Sequence, residues 1–223
     1  MKKLLILLTL AQFMICAVPI SVLAKSTEKK EIRVIGGKKD DFKDSKGRIW
    51  HGGQQTEKAW GGWIEKEPRT AEVKTLTDAA KAKADKAGYD HAIFHTVSWA
   101  QFPDTVKMAL KTGNGVFDVT YLVGEHWSPS NRGFDIFIEG KNVQPLYVTP
   151  GKDEIDIKTF KNISVTDGLL NFHFAGNKET GKGDLNAMFS GLEVIPVGQG
   201  TAVDPKSRLT STWGLSRSSN IQL

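Results

Sequence analysis

The chain has 223 residues, 30 Lys and Arg against 25 Asp and Glu for a formal net charge of +5, and a single cysteine, Cys16. That length suits one domain with a sizeable core. Basic and acidic residues are interspersed, so no Lys/Arg stripe offers a phosphate-binding footprint, and no nucleic-acid partner is expected.

Met1, Lys2 and Lys3 make a basic start, Leu4 to Ile20 an apolar run interrupted by Gln12 and Pro19, and Val22-Leu23-Ala24 a small-residue cleavage pattern. The expectation is a cleaved signal peptide over 1–24, with no membrane span left afterwards and a mature protein that is secreted or held in the periplasm or cell envelope. Ile15 is not the small residue that a lipoprotein signal places before its cysteine. Cleavage would remove Cys16, and with it any disulfide framework or thiolate metal site. It would also remove Lys2 and Lys3 and lower the formal charge from +5 to about +3.

Residues 25–31 form a polar lead-in, and the first apolar strand is Ile32-Arg33-Val34-Ile35, closed by Gly36-Gly37. Asp44-Ser45-Lys46-Gly47 predicts a turn before Arg48-Ile49-Trp50, and a glycine-rich loop is expected to carry Trp60-Gly61-Gly62-Trp63. Thr70 to Ala87 is the one helical stretch, with Thr77 or Asp78 as its cap and Gly88 as its stop. Val73, Leu76, Ala80 and Ala84 make so narrow an apolar stripe that a short surface helix, adding little to the core, is expected there.

From Ala92 the period becomes that of strands, over 92–97, 105–110, 116–123, 134–139, 142–148, 154–160, 169–175 and 188–197. Phe134, Ile136 and Ile138 alternate with Asp135, Phe137 and Glu139, as on a strand with one more deeply buried face. Many short strands with turns between them predict an all-β fold, a sandwich or jelly roll, over 32–198. Residues 199–223 are rich in Ser, Thr and Arg and are expected to be a flexible tail, with Trp213 in it.

The sequence has no Gly-x-Ser-x-Gly elbow, His-Glu-x-x-His helix or phosphate-binding Gly loop leading into Lys-Ser/Thr, so no enzyme is expected. His91 and His95 have the spacing of two metal ligands, but Ile93, Phe94, Thr96 and Val97 around them favour ordinary polar histidines on a strand. Glu125-His126-Trp127 leaves an apolar strand just before the turn Ser128-Pro129-Ser130-Asn131, a place that binding residues favour. A buried, hydrogen-bonded Glu125 is preferred there to a catalytic one. Among six tryptophans, Trp60, Trp63, Trp99, Trp127 and Trp213 fall outside strand interiors. Sugar rings stack on indole while acidic and imidazole groups take their hydroxyls, so these residues suggest a glycan platform.

Several ordered pieces resemble the malectin domains, carbohydrate-binding β-sandwiches related to galactose-binding-like modules. Ile93-Phe94-His95-Thr96-Val97-Ser98-Trp99 is similar to that family's Leu-Tyr-Gln-Thr-Glu-Arg-Tyr segment, Gly115-Val116-Phe117-Asp118-Val119-Thr120 to its Gly-x-Tyr-x-Val strand, and Val123-Gly124-Glu125 to its Phe-Ala-Glu. Gly133 to Lys141 resembles its Val-Phe-Asp-Val-x-Val-Asn-Gly-Lys hairpin, and Asp167-Gly168-Leu169-Leu170 with Gly191 to Ile195 its closing strands. The resemblance implies a jelly-roll β-sandwich, galactose-binding-like, that holds an oligosaccharide on loops at one end without catalysis.

Carried over by residue, the resemblance implies that Trp60 stands for the family's Tyr before Gly, Trp99 for the Tyr ending its Thr-Glu-Arg-Tyr, and Trp127 for the first aromatic after Phe-Ala-Glu. Asp184 falls near the family's late aspartate, about one residue out of register. Ser128 replaces the second aromatic of the post-strand pair, and the inserted helix is peculiar to this chain. The simple Lys-Lys leader resembles a bacterial one and favours an extracellular polysaccharide.

The expected function is therefore a secreted, non-catalytic carbohydrate-binding protein, with Trp60, Trp63, Trp99 and Trp127 as an aromatic platform and His126 and Asp184 taking hydroxyls. The alternative is a structural or adhesion module binding another cell-envelope protein. A third reading, a glycan-active enzyme, would need Glu125 and Asp184 at roughly 5 to 10 Å. Galactose-binding-like sandwiches often hold structural calcium, for which Asp40, Asp41 and Glu193 are the candidate oxygen ligands.

Overall fold

The structure, a computed structural model, describes residues 28–53 and 59–198. The expected signal peptide over 1–24 and the tail over 199–223, with Trp213, lie outside the described residues.

The chain opens with β1 (Ile32–Ile35), β2 (Phe42–Lys43), β3 (Ile49–Trp50), β4 (Gly61–Trp63) and β5 (Arg69–Glu72). Helix α1 (Asp78–Ala87) and a 3-10 turn (His91–His95) then lead into β6 (Thr96–Trp99). Beyond them run β7 (Val106–Leu110), β8 (Gly115–Glu125), β9 (Gly133–Ile138), β10 (Lys141–Val148), β11 (Glu154–Val165) and β12 (Leu170–Gly176). The last strands are β13 (Met188–Phe189) and β14 (Gly191–Pro196).

Two antiparallel sheets make the sandwich, one in the order β1-β14-β8-β11 and the other β10-β9-β12-β7-β4. Their facing sides are written in strict alternation. From β8 come Phe117, Val119, Tyr121 and Val123, from β9 Phe134, Ile136 and Ile138, and from β12 Leu170, Phe172 and Phe174, all essentially buried. Tyr121 and Phe174 meet ring to ring at 5.7 Å. The fold is all-β, as expected, with a single α-helix among the described residues.

Three local readings differ from the expectation. The Trp60-Gly61-Gly62-Trp63 segment is largely a strand, β4, pairing with β7. At Gly61, with φ of +137°, an added Cβ would stand 1.9 Å from the Ala109 carbonyl oxygen, so the glycine is what lets the edge strand close. The helix starts at Asp78 with Thr77 as cap, its hydroxyl accepting from the Ala80 N–H at 3.0 Å, and ends on left-handed Gly88. The residues before it, Arg69–Glu72, are instead a strand paired with β6.

The third difference concerns residues 92–97. Asp90 accepts a hydrogen bond from the Ala92 N–H at 2.9 Å, which caps a 3-10 turn rather than starting a strand. Ile93 and Phe94, adjacent in sequence, are both fully buried there, which the two-sided alternation of a strand would not allow on one face. This turn packs on β8, and α1 packs on β11. Val73, Leu76, Ala80 and Ala84, the thin stripe of the helical region, are all buried, so the insertion covers the outer side of the sandwich and adds to its core.

The run expected over 188–197 breaks at Ser190. Its N–H donates to the Leu122 carbonyl and its hydroxyl accepts from the Gly124 N–H at 2.9 Å, so the chain crosses between sheets at this residue. Strand β13 thereby joins a small third sheet, β13-β6-β5, at one end of the sandwich. None of the described helices is long and apolar enough to cross a membrane.

Candidate functional site

The small sheet β5-β6-β13 forms the floor of a cavity of about 230 Å³. Ala71 pairs with Val97 and Met188 with Trp99, so the side chains of all four share one face of that sheet and line the cavity. Its walls are Trp127, from the loop between β8 and β9, with Arg132, Asp184 and Asn186. An apolar floor with a few convergent polar groups is the usual make-up of a small-ligand site.

A buried carboxylate organises the walls. Glu125, at the end of β8, is fully buried; its Oε1 accepts the backbone N–H groups of His126 (2.8 Å), Trp127 (2.8 Å) and Ser128 (3.0 Å). Its Oε2 accepts from Arg132 Nε at 3.0 Å. The nearly buried Arg132 guanidinium also donates from Nη1 to the Asn186 carbonyl at 3.1 Å and pairs with Asp184 Oδ2 at 2.9 Å. Asp184 Oδ2 further accepts from Ser128 Oγ at 2.5 Å, and Oδ1 accepts from the Asn186 N–H at 2.9 Å. Two carboxylates and one guanidinium thus tie the loop of Trp127 to the segment entering β13. Ser128, where the resemblance would put a second aromatic, is part of that tie.

Trp127 is 42% exposed, the one largely exposed indole among the described residues. Beside it the His126 ring stands edge-on at 5.7 Å, with Nδ1 hydrogen-bonded to Asp153 Oδ1. That bond holds the Asp153 carboxyl below the usual range. His126, expected to reach a ligand hydroxyl, is paired through Nδ1 with Asp153 and does not line the cavity, while its ring stands against that of Trp127. Trp99 is partly buried, with the Arg69 guanidinium over its ring at 5.2 Å. Its indole N–H is buried and has no acceptor among the described residues. Trp50, Trp60 and Trp63, by contrast, donate to Asp44 Oδ2, the Gly52 carbonyl and the Gly53 carbonyl.

Of the four tryptophans expected to form a platform, the structure therefore brings two together. Trp60 is 1% exposed and packs edge-on against Trp63 at 5.4 Å. Trp63 in turn tilts against Phe189 at 6.3 Å. Both serve the core, because pairing of β4 with β7 draws them under the five-stranded sheet. Asp184 lines the cavity as expected. Arg132 and Asn186 were missed, since nothing local in Ser-Asn-Arg-Gly or Leu-Asn-Ala distinguishes a buried cation or a wall amide from surface residues.

Glu125 does not fit general acid or base work, since both its oxygens are occupied and it has no exposure. The calcium ligand set is also not assembled. Glu193 bonds Arg33 Nε at 2.6 Å and Tyr89 Oη at 2.6 Å, and Asp41 accepts from the Gly52 N–H at 3.1 Å. Among the described residues, no group of three or more His, Cys, Asp or Glu is placed to hold a metal ion. His91 and His95 bond Asp85 Oδ1 and the Val73 carbonyl.

No known protein family matches the chain, and none of the curated proteins matches it in sequence. Solved structures do match in shape. The extracellular domains of ANXUR1 and ANXUR2 from Arabidopsis thaliana superpose with TM-scores of 0.62 and 0.61 at 13% and 16% identity, each over 74% of this chain. The chain spans 47% and 48% of those two structures. A β-glucuronidase of Bacteroides uniformis matches with a TM-score of 0.55 at 16% identity, over 75% of this chain and 18% of the enzyme. At such identities the likeness establishes the fold, a malectin-like β-sandwich.

Proposed function

We propose that this chain is a secreted, non-catalytic carbohydrate-binding module of bacterial origin, which seats a glycan on Trp127 and Trp99 and takes its hydroxyls with Asp184 and Asn186. The observation that carries this reading is the convergence of an exposed and a half-buried indole with carboxylate, guanidinium and amide groups around one cavity. Arg132 is shared between Glu125 and Asp184, and the Arg69 guanidinium lies over Trp99, so two carboxylates and two guanidinium groups leave the site without a strong net charge. That suits a neutral sugar. Export is supported by the Lys2-Lys3 start, the apolar run and the Val22-Leu23-Ala24 pattern.

Stacking contacts of this kind contribute about 0.5 to 1.5 kcal/mol each. Affinity for a short glycan is accordingly expected between about micromolar and millimolar, with avidity on a polymer raising it. A glycan and polysaccharide array probed with the protein from Lys25 onward, beside a Trp127→Ala variant, tests the reading. Binding to one glycan class that the variant loses is the expected result. No binding by folded protein would sink it and favour contact with another envelope protein.

A further inference from the structure

Beyond Trp99 the surface continues into a second, more open cavity of about 490 Å³, bordered by Trp99, Gln101, Phe102, Asp184 and Asn186 among others. Trp99, Asp184 and Asn186 border both cavities. Three shared residues make the two cavities neighbouring stretches of one groove, with Trp127 along the first and Phe102 along the second.

The second stretch has the same ingredients as the first. Phe102 is 36% exposed, and its ring is seated rather than free. A Cβ added at Gly176 would come 2.8 Å from Phe102 Cδ2, and the Lys178 ammonium stands 5.8 Å from the ring centroid. The Phe102 N–H donates to Asn186 Oδ1 at 2.8 Å. That bond turns the Asn186 amide nitrogen away from Phe102, and neither it nor the exposed Gln101 amide has a hydrogen-bond partner among the described residues. A seated ring with the Gln101 amide next to it in the chain repeats the pattern of indole with Asp184.

We infer that the groove has two sugar subsites divided by Trp99, Asp184 and Asn186, and that its ligand is a run of several residues along a polysaccharide chain rather than a terminal sugar or a disaccharide. The inference rests on the carbohydrate reading above. On this division a short oligosaccharide occupies the stretch along Trp127, and a longer chain also reaches Phe102. Because Arg132 holds Asp184 and the Asn186 carbonyl at the divide and the Phe102 ring is seated, these groups are in place before binding, and added length is converted into affinity with a reduced ordering cost.

The test is calorimetric titration of the protein from Lys25 onward with cello-, laminari-, malto- and manno-oligosaccharides, from disaccharide to hexasaccharide. Wild-type, Phe102→Ala and Gln101→Ala proteins are compared after a thermal melt confirms folding. In the series that binds, affinity is expected to rise about tenfold, or about 1.4 kcal/mol, between disaccharide and hexasaccharide. Both variants should lose most of that rise while keeping the disaccharide affinity. Equal affinity at all lengths, or loss at disaccharide and hexasaccharide alike in both variants, overturns the two-subsite groove and leaves the carbohydrate reading standing. No binding of any series by folded wild-type protein overturns both.

Discussion

Replacing Glu125 by glutamine keeps the shape of the side chain but leaves a donor where the structure needs an acceptor. If the remaining oxygen stays with the N–H groups of His126, Trp127 and Ser128, the new amide faces Arg132 Nε, now 3.0 Å from the carboxylate. If it turns over, three N–H groups lose their acceptor. Breaking one partner of a buried pair costs about 3 to 5 kcal/mol. Arg132 keeps Asp184 and the Asn186 carbonyl, which places the expected loss near the lower end, about 3 kcal/mol. For a domain of this size that is a fall in Tm of about 6 to 12 °C. Urea denaturation followed by intrinsic fluorescence measures it, with calorimetry as a check on two-state behaviour. The double variant Glu125→Leu/Arg132→Met removes both charges and should recover part of the loss. A Glu125→Gln protein within about 1 kcal/mol of wild type would refute the view that this ion pair holds the site together.

The two indole pairs should separate cleanly in mutagenesis. Trp60→Ala empties a buried core position and is expected to cost about 3 to 5 kcal/mol, while Trp127→Ala, at an exposed position, should change stability by about 0.5 kcal/mol or less. Denaturation of both variants checks this, and a large loss for Trp127→Ala would mean that the ring is a core residue. Asp44 supplies a pH test. Burial alone would raise its carboxyl, but hydrogen bonds from the Trp50 indole and from Arg48 outweigh burial and hold it below 3.8. Its stabilisation is therefore present above pH 3.8 and is lost as pH falls through the depressed value. Asp44→Asn should be less stable than wild type at neutral pH, with the gap narrowing as pH falls below 3.8; a gap that does not narrow at all on acidification would show that charge is not the cause.

The strands were legible wherever alternation decided the matter, as at Phe134, Ile136 and Ile138, because a period of two is a local property of the chain. Thr77 and Gly88 were legible for the same reason, since a cap is made with residues a few positions away. Trp99 and Trp127 stood out as aromatics at strand ends. Trp60 and Trp63 misled, because an indole pair flanking two glycines has the same local sequence in a loop as on an edge strand. What buries them is pairing of Gly61 with Leu110 and Trp63 with Met108, a contact between distant parts of the chain. Arg132 was invisible for a related reason. Its guanidinium is buried because two carboxylates, Glu125 at the end of β8 and Asp184 in the segment before β13, are brought to it from distant parts of the chain.

The insertion between β5 and β6 adds more to the core than its narrow apolar stripe suggests, because the neighbour of that stripe is the sandwich and not solvent. Ala80 and Ala84 bury little area each, yet small side chains are what let α1 lie close against β11. With the 3-10 turn on β8, that close packing pins the start of β6, and β6 carries Trp99 into the groove. Trp127 is pinned separately, through Glu125 at the end of β8. The two aromatic groups of the site are thus fixed by independent parts of the fold that share strand β8. A ligand that meets them already in place loses little affinity to ordering side chains, so on the proposed carbohydrate reading specificity would follow from which glycan geometry matches the spacing between the two indoles and the Asp184 carboxylate.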